Sequence, residues 1–183
     1  MPSKSAWVIG FDLSLTAPAG VALPLNWRPG DWRAVEYWLD HPKAPKSDDQ
    51  CGRLERYMYI GDQVRRFIEK VTSPTCRGLR GCYIEQYAFS KNNAQASKLM
   101  ELGGHVRVEL YRQRGIIAET INTGPARKLL LGKVPKSDQK IAVQRFLFAA
   151  RAPKAWEENI CDAFVVANYG LSECGGVALA TGG

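Results

Sequence analysis

The sequence predicts an α/β domain, on three observations. Three short apolar runs, 7–12, 19–25 and 33–39, follow one another with Pro, Gly and Asn turn residues between them, the pattern of an antiparallel meander. From about Asp49 to Val71 the residues Leu54, Tyr57, Met58, Gly61, Val64 and Ile68 recur instead at three- and four-residue steps, as an amphipathic helix requires. Beyond that helix, apolar strands and helical stretches continue to about residue 172, with no internal repeat and no linker rich in Pro, Gly or Ser.

Taken in order, the first run W-V-I-G-F-D reads as a buried strand that closes on Asp12. The second and third runs complete the meander. The helix over 49–71 leads through S-P-T-C-R-G into the strand G-C-Y-I-E, which closes on Glu85. A long helix is expected from Asn93 to Gln113, a strand over I-I-A-E-T-I at 116–121, then a basic connector, a helix near 137–150 and a last helix over about 156–172. The Gly-rich tail, Gly175 to Gly183, is expected to be frayed and disordered. A chain of 183 residues has the length of one compact domain, so 1–183 is read as a single unit.

Composition narrows the function classes. Hydrophobic residues at 45% and charged residues at 23% are ordinary for a globular protein. No apolar run approaches the roughly 18 residues of a membrane span, and the start M-P-S-K-S-A-W lacks a secretory apolar segment. An intracellular, cytoplasmic protein with no membrane partner is expected. Cys51, Cys76, Cys82, Cys161 and Cys174 are odd in number and show no C-x-x-C spacing, so they are read as reduced thiols rather than a disulfide frame or zinc site. The net charge of +7 makes a polyanion, nucleic acid above all, the leading partner class.

Three carboxylates stand out against this background. Asp12 and Glu85 each end an apolar strand, and Asp162 opens the apolar helical face D-A-F-V-V-A. Alone, each has an ordinary explanation: a turn cap, a lysine partner, a helix-terminal charge. Together they point to one place, because the helix must pack on the sheet whose strands end in the other two. Three converging carboxylates cannot all ionise in a dry site without cations, and hard divalent metals with oxygen ligands are the natural compensation.

The stretch C-Y-I-E-Q-Y-A-F-S-K-N-N-A-Q-A-S-K-L-M-E-L-G-G resembles the corresponding segment of RuvC-type Holliday junction resolvases, with a strand ending in glutamate and a helix following. I-G-F-D-L-S-L-T resembles their first strand, and D-A-F-V-V-A their C-terminal helix; the resemblance runs over roughly 7–172. It implies the ribonuclease H-like fold: a mixed five-stranded sheet, an antiparallel meander followed by parallel strands, with helices on both faces. It also implies a homodimeric endonuclease selective for branched DNA, especially four-way junctions. Phosphodiester hydrolysis of this kind uses two Mg²⁺ about 3.5–4 Å apart, with Mn²⁺ expected to substitute. Asp12 is then the bridging ligand, with Glu85 and Asp162 holding one ion each.

The family's basic residues map onto Arg127 and Lys136, the second at a helix N-terminus, where N–H groups favour phosphate and where it would polarise the scissile group. Lys128, Lys133 and Lys140, in the same basic stretch, and Lys91, in the loop S-K-N-N, are expected to touch DNA. The family's aromatic three residues after the glutamate is Ala88 here, which leaves Tyr87 and Phe89 as the rings that could stack on bases. In the last helix the family carries a second acid three residues before the first; that position is Asn159, and Glu158 is the alternative. The rivals are a broader branched-DNA debranching nuclease, a catalytically silent DNA-binding module, and an actin-like or sugar-kinase ATPase. The last lacks a second phosphate loop and an adenosine site in this sequence. For the dimer, contact through the helix from Asn93 is expected, with Leu99, Leu102 and Val106 on one stripe. Their alternative role is the chain's own core.

Overall fold

The computed structural model describes residues 6–43, 49–73, 75–76, 78–86, 93–133 and 138–180. Five strands, β1 (Trp7–Asp12), β2 (Ala19–Pro24), β3 (Glu36–Leu39), β4 (Leu79–Glu85) and β5 (Glu119–Ile121), form one sheet in the order β3-β2-β1-β4-β5. The first three pair antiparallel, and β4 runs parallel to both β1 and β5. Among the described residues, five α-helices accompany them: α1 (Gln50–Thr72), α2 (Asn93–Arg114), α3 (Thr123–Leu131), α4 (Gln139–Ala149) and α5 (Glu158–Glu173).

Strand side chains alternate between the two faces of the sheet, and each face carries its own core. Ile9 and Phe11 of β1 and Cys82 and Ile84 of β4 pack under α1 and α2 with Tyr57, Ile60, Val64, Leu102 and Val106. Val8 of β1 and Tyr83 of β4 face the other way, under α3, α4 and α5, with Leu130, Val143 and Phe164. Asp12 continues the Val8 series and Glu85 the Tyr83 series. Both carboxylates therefore leave the sheet on the α5 side.

Two features hold α5 close to the sheet. Gly10 lies directly beneath it: a Cβ there would stand 2.2 Å from the Ala167 nitrogen and 2.8 Å from the Ala163 oxygen. Only a residue without a side chain permits that approach. An aromatic cluster of Trp27, Trp32, Trp156 and Phe164, with ring centroids 5.5–6.0 Å apart and mostly edge-to-face, anchors the same helix against the chain between β2 and β3. Each such pair adds about 0.5–1.5 kcal/mol beyond area burial.

The structure departs from the sequence expectations in five places. The third strand begins at Glu36, because Trp32–Ala34 form a 3₁₀ turn in which the Trp32 indole donates to the Ala150 oxygen at 2.7 Å. The fifth strand is only 119–121, since β4 offers partners only at Tyr83, Ile84 and Glu85. The basic connector contains a helix, α3, capped where Asn122 Oδ1 accepts from the Gly124 N–H at 2.9 Å and stopped at Gly132, φ 68°. The tail is not frayed through Leu179: the buried Asn168 amide donates to the Leu179 oxygen and accepts from its N–H. A buried amide needs such partners, and the tail supplies them. Finally, Leu102 and Val106 are fully buried against α1 and belong to the chain's own core, so they are not a dimer stripe.

Candidate active site

Parallel pairing of β1 and β4 sets Phe11 beside Ile84, so the next residues, Asp12 and Glu85, end adjacent strands at the same level. The α5 layer brings Asp162 to the same edge, one residue before the Ala163 oxygen that touches Gly10. Asp12 is 9% and Asp162 3% exposed, so this edge holds acidic groups largely withdrawn from water. The three carboxylates read from the sequence do converge.

Their electrostatics show the strain of that convergence. Burial, then the charges of Glu85 and Asp162, push the Asp12 carboxyl well above its usual range, against a weaker pull from Lys140. Burial and the charge of Asp162 also raise Glu85, while Arg127, the hydrogen bond from Asp12 and Lys140 work the other way. Each of the two carboxyls thus opposes ionisation of the other.

Asp162 is compensated differently. Its Oδ1 accepts from Arg127 Nη2 at 3.1 Å, and its Oδ2 lies 3.5 Å from Lys140 Nζ. Lys140 also bonds Glu158. Burial opposes the charge on Lys140, but the bond to Glu158 and the fields of Asp162 and Glu158 prevail and raise its pKa. Among the described residues, no three acidic, histidine or cysteine side chains are arranged as a metal cluster.

Cys161, next to Asp162 in the chain, is pushed up to about 12 by burial and by Asp162 and Glu158, which leaves it a neutral thiol. The donor set is therefore oxygen only, suited to a hard divalent ion, and Arg127 and Lys140 offset part of its negative charge. On charge and ligand chemistry the residues fit such an ion.

The other expected site residues have partners or placements of their own. Asn159 donates its amide to the Ala17 oxygen at 2.7 Å, tying α5 to the turn after Asp12. Glu158 is half-exposed and held by Lys140. Arg127 is not a surface cation: its side chain is 13% exposed, and its Nε is buried without a partner. Lys128 and Lys133 are exposed, on and just beyond α3. Tyr87, Phe89, Lys91 and Lys136 lie outside the described residues. His41 stands 3.9 Å from Glu157, and His105 packs between α1 and α2 against Tyr57. The roles of Arg127 and Lys140 as direct partners of Asp162 were missed in the sequence. The helix signals Asn122 and Gly132, which turn the basic stretch into α3, were the available clue.

No protein-family model and no curated protein sequence matches the chain. Among solved structures, it superposes on T. thermophilus RuvC in complex with Holliday junction substrate with a TM-score of 0.63, covering 93% of this chain and 96% of that one at 15% identity. A second Thermus thermophilus RuvC structure gives 0.60 over 93% and 97% at 19% identity. The chain has the RuvC-type, ribonuclease H-like fold.

Proposed function

We propose that this chain is a divalent-metal-dependent, structure-selective endonuclease that cuts four-way DNA junctions as a homodimer. The observation that carries the reading is the meeting of Asp12, Glu85 and Asp162 at one sheet edge, on a fold shared with a RuvC protein seen in complex with a Holliday junction. Asp12, Glu85 and Asp162 would hold two Mg²⁺; Mn²⁺ has the same ligand preference. Bound there, such ions supply an activated water and a stabilised leaving oxygen for phosphodiester hydrolysis.

The chain's own groups do the rest. Repulsion between the Asp12 and Glu85 carboxylates makes a cation beside them favourable. Arg127 and Lys140 keep positive charge beside Asp162, and Lys140, 57% exposed in its side chain, extends it to where a phosphate must enter. Lys128 on α3 and Lys133 just beyond it are exposed cations, and Lys136, Lys91, Tyr87 and Phe89 are the further contacts proposed from the sequence. The whole chain is read as one nuclease domain working on DNA in the cytoplasm. No helix among the described residues is long and apolar enough to cross a membrane.

The dimer contact is assigned to the outer stripe of α2. Met100, Val108 and Tyr111, with Ile117 just beyond the helix, are exposed apolar residues, unlike Leu102 and Val106. Light scattering should give a dimer for wild type and a monomer for Val108→Glu.

The decisive assay is Mg²⁺-dependent nicking of a synthetic four-way junction. Paired, symmetric nicks that vanish in Asp12→Asn and Glu85→Gln, with junction binding retained, are expected. Binding without any cleavage by wild type favours the silent DNA-binding module. Asn159 and Glu158, already engaged by Ala17 and Lys140, are the residues that support this alternative. Equal cutting of flaps and forks favours a general debranching nuclease.

A further inference from the structure

Two cations meet the Asp162 carboxylate, and they differ in freedom. Arg127 Nη2 donates to Oδ1 at 3.1 Å from a side chain that is 13% exposed, with its Nε buried, so this guanidinium is fixed in the packing. Lys140 Nζ stands 3.5 Å from Oδ2, and its side chain is 57% exposed. Lys140 is the second residue of α4, which begins at Gln139. Its four-carbon stem is flexible and its head is a compact, strongly hydrated charge. One cation is set in place and the other is free to swing.

The mobile cation has a second holder. Glu158 bonds the same Nζ and lies one helical turn before Asp162 on α5, with its side chain 49% exposed. Residues four apart share a helix face, so the ammonium sits between an inner, buried carboxylate and an outer, solvated one. Its charge also reaches Asp12 and Glu85, both of which it pulls toward ionisation. Lys140 is thus a counter-ion for the whole acidic edge.

Oδ2 is the Asp162 oxygen that Arg127 does not hold, and it is the one Lys140 faces. A divalent ion ligated there, about 2.0–2.6 Å from the oxygen, would lie a few ångströms from the ammonium. Like charges that close repel strongly at a site with little water around it. Arg127 is too buried to yield, so Lys140 must. A DNA phosphate arriving on the exposed side of Lys140 offers an anion in exchange for Asp162, and the ammonium has three N–H donors to turn toward it.

We propose that Lys140 is a latch on Asp162: it faces Oδ2 until a DNA phosphate draws its ammonium outward, so the acidic edge takes a divalent ion more tightly with DNA bound than without. The inference rests on the nuclease reading above and adds a regulation of the same site. Metal and DNA then strengthen each other's binding by the same factor, as linkage requires. Glu158 keeps the lysine at hand beside the site.

Mn²⁺ binding to the protein without DNA, read as loss of the free-ion signal in electron paramagnetic resonance, tests the latch with no cutting involved. Lys140→Met removes the charge and keeps most of the stem, and Asp162 retains Arg127, so the fold is kept. It should bind Mn²⁺ roughly fivefold to 150-fold more tightly than wild type, the usual range of coupling between two sites. Lys140→Arg, which keeps the charge, should stay near wild type. Lys128→Met, which removes an exposed charge from α3, should change the affinity far less. Equal tightening in Lys128→Met and Lys140→Met would overturn the proposal, as would no tightening, or no Mn²⁺ bound by either wild type or Lys140→Met. For wild type, half-maximal junction nicking should need roughly fivefold to 150-fold less Mn²⁺ than half-saturation of the free protein, and equal values would refute release by DNA. If wild type neither binds nor cuts the junction, the nuclease reading fails and release by DNA fails with it. If it cuts while Lys140→Met binds Mn²⁺ no better than wild type, the latch alone fails.

Discussion

Gly10→Ala probes the contact that assembles the carboxylates. The new Cβ would sit 2.2 Å from the Ala167 nitrogen, 2.7 Å from the Ala167 Cα and 2.8 Å from the Ala163 oxygen. All three are backbone atoms that cannot rotate aside. Because carbon contacts are comfortable only from about 3.5 Å, α5 must retreat by about 1 Å. Overpacking typically costs 1–3 kcal/mol, and a rigid backbone obstacle puts this case near the top, at about 3 kcal/mol. At about 2–4 °C per kcal/mol for a chain of this length, the melting temperature should fall by roughly 6–12 °C. Asp162 precedes Ala163 and moves with it, and a misplacement of about 1 Å costs on the order of 100-fold in rate. Scanning calorimetry and junction nicking, the latter well below both melting points, read the two effects separately. Gly103→Ala is the control: a Cβ there meets nothing within 4 Å, so it should stabilise by up to about 1 kcal/mol. A Gly10→Ala protein that melted within about 2 °C of wild type and cut within about threefold of it would refute the account of how α5 is seated.

In EDTA, Asp12→Asn should stabilise the protein at neutral pH. Asp12 and Glu85 have raised folded-state pKa values, so their contribution is present in acid and is lost as pH rises through those values. Melting curves from acid to neutral pH should fall more steeply for wild type than for Asp12→Asn, and parallel curves would show that the pair is not repelled. Adding Mg²⁺ should raise the melting temperature of wild type but not of Asp12→Asn, as binding to the folded state alone requires. Arg127→Ala, which strips a cation from the 4%-exposed Asp162 side chain, should cost about 3–5 kcal/mol by denaturant unfolding in the absence of metal. Paired with Asp162→Asn it should cost much less, and additive losses would deny the pair. Asn159→Ala should lose about 1 kcal/mol through the Ala17 hydrogen bond, with little change in the Mg²⁺ needed for cleavage. A marked rise in that Mg²⁺ requirement would restore Asn159 as a metal ligand.

The strand-end acids were legible because an apolar run of period two that stops on Asp12 or Glu85 is a local pattern, and burial makes a carboxylate conspicuous there. The meander, α1, α2 and α5 followed from periodicity for the same reason, since each writes its buried face into residues a few places apart. α3 was hidden because its exposed side is basic and its inner side contributes only Ala126 and Leu130 to the core, so charge masked the helical period. The stripe of Leu102 and Val106 was equally legible as apolar, but apolarity does not say whether a helix covers its own sheet or a second chain. That was decided by α1 packing on it. Likewise, no spacing in the sequence states that Asp162 is neutralised by Arg127 and Lys140 or that Asn159 is spent on Ala17. The contacts of Asp162 and Asn159 join residues 22 to 142 positions apart, and charge compensation through space is set by tertiary distance, which sequence order does not encode.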